Sequence, residues 1–190
     1  MNIVYVSAAK IPSNIANSIN IVKSCSAMAN LGHEVVLLAP DTREPAVRRD
    51  VENVFDFYGV RENFRIEKIP APKRTGGRTL YTLLVLWFLL RNKPDLIIGR
   101  YIRVLRHCCH LGIKMIYECH SPIVKADGVK YKRLASLCRC PSFSLLVTIT
   151  EAFREHFLGL KLPGLDRAKV YSYPCGGEPV MPNLEKAVLS

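Results

Sequence analysis

The feature that most constrains the fold lies within residues 2–40. "NIVYVS" (2–7) is a continuous apolar run with β-branched residues, the pattern of a strand covered on both faces. "NSINIVKSCSAMANLG" (17–32) then sets Ile21, Val22, Cys25, Met28 and Ala29 at helical spacing. Asn17 or Ser18 can cap its start, and Gly32 sits where a helix end wants a left-handed residue. "HEVVLLAP" (33–40) reads as a second buried strand. A strand–helix–strand unit this short requires a parallel pair and a right-handed crossover.

The alternation continues. Further strands are expected at 64–70, 95–99, 113–118, 144–150 and 169–174, and helices at 78–92, 101–112, 129–139 and 151–160. Residues 41–63 read as loop plus a short helix within "AVRRDVENVFDFYG" (46–59). Such an order predicts an α/β, doubly wound Rossmann-like parallel sheet over residues 1–173, with functional loops beyond the C-terminal strand ends. From residue 174 to 190 the periodicity is lost, and a linker or tail is expected.

Composition narrows the partners. The chain has 190 residues, 49% hydrophobic and 23% charged, which fits one globular domain and argues against disorder. A formal charge of +11 favours something acidic: a phosphate-bearing ligand, an anionic membrane surface or nucleic acid. Nucleic acid is disfavoured, because no recognition-helix motif and no interleaved aromatics accompany the charge. The apolar run "LYTLLVLWFLL" (80–90) falls short of the roughly 20 residues a bilayer span needs. It is expected to be a buried helix that stops before Pro94. Met1 leads into "NIVYVSAAK" without a leader pattern, and seven cysteines lack framework spacing. A reduced, cytoplasmic chain is therefore expected, with peripheral placement on the inner membrane face as an option.

Several motifs bear on chemistry. The first strand-to-helix loop, "SAAKIPSNIANS" (7–18), carries no glycine, which excludes an ordinary dehydrogenase fingerprint. It leads into a helix N-terminus with Lys10, Ser13, Asn14, Asn17 and Ser18 nearby, where a phosphate can bind or where Asn17 and Ser18 simply cap. "RHCCH" (106–110) lacks zinc-ligand spacing and a second ligand element, so semi-buried thiols and surface histidines are expected and no metal site is. Arg100, Arg103 and Arg106 recur every third residue and are expected to form a basic stripe on one helix, either a solvated face or a contact for an anionic surface.

"ECHSP" (118–122) puts Glu118 and His120 at the end of a strand, on the same side of it. A histidine there can donate to a sugar hydroxyl or neutralise developing charge, with Glu118 orienting it. In "TITEAFREHF" (148–157), Thr150 suits an N-cap and Glu151 suits the positive end of the helix, although either can also face a ligand.

Taken in order, "NSINIVKSCSAMANLGHEVVLLAP" (17–40), "KPDLIIGR" (93–100), "GIKMIYECHSP" (112–122), "LLVTITEAFREHF" (145–157) and "VYSYPCGGEP" (170–179) resemble the N-terminal domain of GT-B glycosyltransferases of the family 4-like group. The resemblance implies an acceptor-side domain that works with a second, donor-binding C-terminal domain or separate subunit. It implies a retaining transfer from a nucleotide-sugar donor to a sugar or lipid-linked acceptor, with no cofactor and no metal. His120 matches by position the family's histidine that reaches the transferred sugar, and Glu118, which can orient it, is the second catalytic candidate. Ser13, Asn14, Asn17 and Ser18 lie where the family meets the donor diphosphate, and Arg100, Thr150 and Glu151 are carried as substrate-binding candidates. Glu178 in "PCGGEP" takes the acidic position of a P-x-G-x-D-like turn. The family's second domain is expected from about where this sequence stops, so the chain reads as a truncated enzyme, an isolated domain or one subunit of a split transferase, inactive alone. The competing reading is a non-catalytic basic module that docks on a membrane or acidic partner.

Overall fold

The structure, a computed structural model, describes residues 1–42, 44, 46–72 and 75–173. The expected tail at 174–190 and its Glu178 lie outside the described residues, as do Lys73 and Arg74. The chain forms two compact units, Met1–Leu96 and Ile97–Ser190.

In the first unit, β1 (Asn2–Val6), α1 (Ala16–Asn30) and β2 (Glu34–Asp41) form the expected crossover, followed by α2 (Val54–Tyr58), β3 (Arg65–Pro70) and α3 (Gly77–Asn92). The strands pair in parallel in the order β3-β2-β1, with Ile3 opposite Val35 and Leu37 opposite Ile66. Alternate residues of a strand face opposite sides, so the unbroken burial of Ile3–Val6 and Val35–Ala39 means that both faces are covered. Ile21, Val22, Cys25 and Met28 of α1 are buried at the expected spacing, each large side chain contributing about 1.5–3 kcal/mol. Gly32, at φ +85°, ends that turn in the left-handed region.

The second unit contains β4 (Leu96–Gly99) from its second residue on, α4 (Ile102–Cys108), β5 (Lys114–Cys119), α5 (Val129–Cys138), β6 (Phe143–Thr148), α6 (Glu151–Gly159) and β7 (Val170–Ser172). Its strand order is β4-β5-β6-β7, with Glu118 opposite Val147 and Thr148 opposite Ser172 in parallel register. Among the described residues, seven parallel strands with flanking helices make this an α/β, Rossmann-like fold.

Three expectations change. α1 begins at Ala16 with Ile15 as N-cap and no side-chain cap, so Asn17 and Ser18 lie inside the first turn and do not cap it. The basic stripe does not form: α4 starts at Ile102, Arg100 precedes it, and Arg103 and Arg106 are half-buried. α3 stops before Pro94 as expected, but it is not a buried helix. Tyr81, Val85 and Leu89 face the core, whereas Leu80, Leu83, Trp87 and Leu90 are exposed.

Candidate functional site

In the second unit, β5 carries Glu118 to the C-terminal end of its strand, and the chain leaves the sheet at His120. Residues two apart on a strand share a side, so the carboxylate and the imidazole meet: Glu118 Oε1 and His120 Nε2 are 2.8 Å apart. The same oxygen accepts from Arg100 Nη2 at 2.6 Å. Arg100 follows β4, the neighbour of β5, which brings a residue eighteen positions away to the same strand end. The Arg100 and Glu118 side chains are 9% and 16% exposed, and His120 is more open at 24%. A charge-assisted bond in so shielded a place is short and strong. An ionised carboxylate only accepts, so Nε2 carries the hydrogen toward Glu118 and the ring is held in one tautomer and one orientation. One carboxylate thus fixes both a guanidinium and an imidazole. That positions a hydrogen-bonding ring at a strand end.

One unit further along, Thr150 accepts from the Phe153 N–H at 3.2 Å and caps α6. Glu151 is exposed and binds Arg154 at 2.5 Å and the Ser172 hydroxyl at 2.6 Å. The Ser172 bond, followed by the Arg154 bond, holds the Glu151 carboxyl below its usual range. Arg154 also donates to the Val170 carbonyl at 2.8 Å. This group ties α6 to β7, and the capping role accounts for the Thr150 hydroxyl.

The first loop belongs to the other unit and is built differently from a glycine-rich one. The Ser13 N–H donates to the Tyr58 hydroxyl at 2.7 Å, and that hydroxyl donates to the Ser13 carbonyl at 3.0 Å. Ser13 Oγ donates to Ser18 Oγ at 2.8 Å, which in turn donates to the Lys10 carbonyl at 2.8 Å. Ser13 and Ser18 are both buried, while Asn14 and Asn17 are exposed. Burial pushes the Tyr58 phenol up, so it stays a neutral donor. The Lys68 ammonium bonds the Ile11 carbonyl, the Arg48 N–H donates to the Pro12 carbonyl at 2.9 Å, and Lys10 pairs with Glu44. Desolvation lowers the Lys68 pKa, and the nearby Asp41 charge opposes that shift. Sequence reasoning missed Tyr58, Lys68 and Glu44. They lie far along the chain in segments without a motif, and only the fold brings them to the loop.

Cys108 and Cys109 bond back to the Val104 and Leu105 carbonyls, and burial pushes both thiols up to about 12. His107 and His110 are exposed. Among the described residues no group of three or more His, Cys, Asp or Glu side chains can hold a metal ion. No helix of the described residues is long and apolar enough to cross a membrane.

No curated protein matches the sequence. Among solved structures, UDP-GlcNAc 2-epimerase from Methanocaldococcus jannaschii is similar with a TM-score of 0.63 at 13% identity, over 90% of this chain and 45% of that one. Anabaena HepE, in complex with UDP and glucose, gives 0.62 at 12% identity over 93% and 45%. The lipopolysaccharide outer core galactosyltransferase WaaB, in its apo form, gives 0.55 at 9% identity over 90% and 44%. The chain spans less than half the length of each of these structures, and at such identities the likeness shows the fold alone. The model of Glycosyltransferase Family 4 matches residues 21–176, which takes in β2 to β7 and the Arg100–Glu118–His120 group. With a GT-B-type N-terminal fold and a match over most of its length, the chain belongs to glycosyltransferase family 4.

Proposed function

We propose that this chain is the acceptor-side half of a retaining, nucleotide-sugar-dependent glycosyltransferase. The observation that carries this reading is the single Glu118 oxygen shared by Arg100 and His120 at the end of β5. In such a transfer the anomeric carbon's bond to the diphosphate breaks, a bond to the acceptor oxygen forms on the same face, and the acceptor proton is lost. Charge develops on the sugar and on the leaving group. A fixed imidazole hydrogen-bonding to the transferred sugar stabilises that state most when it is held in place beforehand. Glu118 positions His120, and Arg100 holds Glu118 in place. Arg100 is a candidate for an anionic group of the substrate, and Thr150 and Glu151 at the start of α6 are candidates for further contacts.

In the first unit, the N-cap residue of α1, Ile15, makes no side-chain cap bond, and the positive end of the helix suits a phosphate. There the exposed Asn14 and Asn17 are the side chains placed to reach a ligand, while Ser13 and Ser18 shape the loop from within. The acceptor is a sugar or a lipid-linked acceptor. The donor needs a second, donor-binding domain, in the same polypeptide or as a separate subunit. The nucleotide-sugars and UDP named for the similar structures support that donor class.

The test is His120→Ala in the assembled transferase, with thermal melts run beside the kinetics. Loss of a hydrogen bond made mainly in the transition state lowers turnover by about 10²–10³. Turnover near wild type, or a fall only in proportion to lost fold, sinks the catalytic role.

A further inference from the structure

We propose that α3 is an interfacial helix that lays its outer face into an anionic lipid surface. This goes beyond the transfer reaction and does not rest on it. A helix that is apolar all round is normally buried, yet α3 buries only one side. Leu80, Leu83, Trp87 and Leu90 follow at spacings of three and four, which places them on one face. They are 41%, 58%, 59% and 58% exposed. From Leu80 to Leu90 the stripe runs about 15 Å at the helical rise. A contiguous apolar face of this kind marks a place of contact.

The occupant follows from the charges around the stripe. No charged residue lies between Arg78 and Arg91, and no acidic residue occurs anywhere from Lys68 to Pro94. Arg78 stands exposed at one end of the helix, and Arg91 and Lys93 stand exposed at the other. The Arg91 guanidinium lies 5.6 Å from the centre of the Trp87 ring, an aromatic body with a cation at its edge. Apolar side chains between two cationic ends match acyl chains beneath anionic headgroups, with the arginines reaching up to phosphate. A second copy of this strongly basic face would repel the first, which sets self-association aside. At 16 residues α3 is about 24 Å long and wholly unsuited to crossing a bilayer, so it lies in the plane of the interface.

The chain has one tryptophan, so its own fluorescence reports on the stripe. The full chain is mixed with vesicles of phosphatidylcholine alone, and of phosphatidylcholine with phosphatidylglycerol. Expected are co-sedimentation with the mixed vesicles, a blue shift of the Trp87 emission and quenching by brominated acyl chains. Leu83→Ser with Leu90→Ser keeps the tryptophan and should weaken binding at least about tenfold while leaving the melting curve intact. Arg91→Gln should weaken it about fivefold, as expected for one cation near the surface. No binding to the mixed vesicles overturns the proposal. So does binding with an unchanged tryptophan spectrum, which means another face docks, or binding that survives the double serine variant. A folded chain that ignores vesicles but pairs through this stripe with a protein overturns it in favour of a protein partner.

Discussion

Replacing Glu118 by glutamine keeps the shape of the side chain and removes one charge. The consequences can be worked from the geometry. Arg100 Nη2 stands 2.6 Å from Glu118 Oε1, and the two side chains are 9% and 16% exposed. Taking the partner from a shielded ion typically costs about 3–5 kcal/mol, because the remaining charge has no solvent to turn to. The slight exposure of this pair puts the expectation at the low end, about 3 kcal/mol. For a chain of this size each kcal/mol moves the melting temperature by about 2–4 °C, so Glu118→Gln should melt about 6–12 °C lower. The cause is the lost charge pairing and not lost packing. Arg100→Met added to Glu118→Gln should therefore recover most of the loss, since removing both charges of a buried pair is often nearly neutral. Differential scanning calorimetry on the wild type, both single variants and the double variant gives the coupling directly. A Glu118→Gln chain within about 1 kcal/mol of wild type would place the pair among ordinary surface ion pairs. A double variant no more stable than the single one would refute the charge explanation.

Tyr58→Phe removes a hydroxyl that both accepts from and donates to Ser13, leaving a buried N–H without its partner; urea unfolding should show a loss of about 1–3 kcal/mol, and none at all would mean that the loop is held by its other ties. Thr150→Ala deletes the α6 N-cap and should cost about 1 kcal/mol, measured in the same way, with Thr150→Ser restoring most of it. Asp50 is held down to about 2, chiefly by its hydrogen bonds from Arg48. A carboxyl depressed on folding stabilises at pH above its unfolded pKa of about 3.9 and loses that contribution as the pH falls toward its folded value. Asp50→Asn should therefore melt below wild type at neutral pH, with the gap closing on acidification to about pH 2; a gap independent of pH would contradict the linkage.

What the sequence revealed and concealed has physical reasons. The strands and helices were legible because both kinds of element carry periodic burial, as Ile21, Val22, Cys25 and Met28 do in α1. The Glu118–His120 contact was legible because two residues apart on a strand is a fixed geometry. Arg100 as third member was not, since that contact depends on β4 and β5 being neighbours. Its placement on a helical stripe failed because α4 begins only at Ile102. A shift of three residues similarly turned Ser18 from an expected cap into a buried link between Ser13 and Lys10. α3 was misread for another reason: a run with apolar residues on every side has no pattern to mark which side stays outside.

The way the first loop is fastened also bears on the order in which the chain must fold. Ser13 is held by a residue 45 positions away, Ile11 by one 57 away, and Ser7 by Tyr81 at 74. Each tie closes a large loop of chain, whose entropy has to be met by contacts already in place. β1, α1 and β2 can assemble among themselves, but the segment that joins β1 to α1 stays undetermined until β3 and α3 have docked. A fragment ending after β2 would hold the crossover and the link from Ser13 through Ser18 to Lys10, but not Tyr58, Lys68 or Tyr81, which fasten the turn from farther along the chain. Its conformation is thus a late product of folding, and it is inherited by the turn from the far end of the unit.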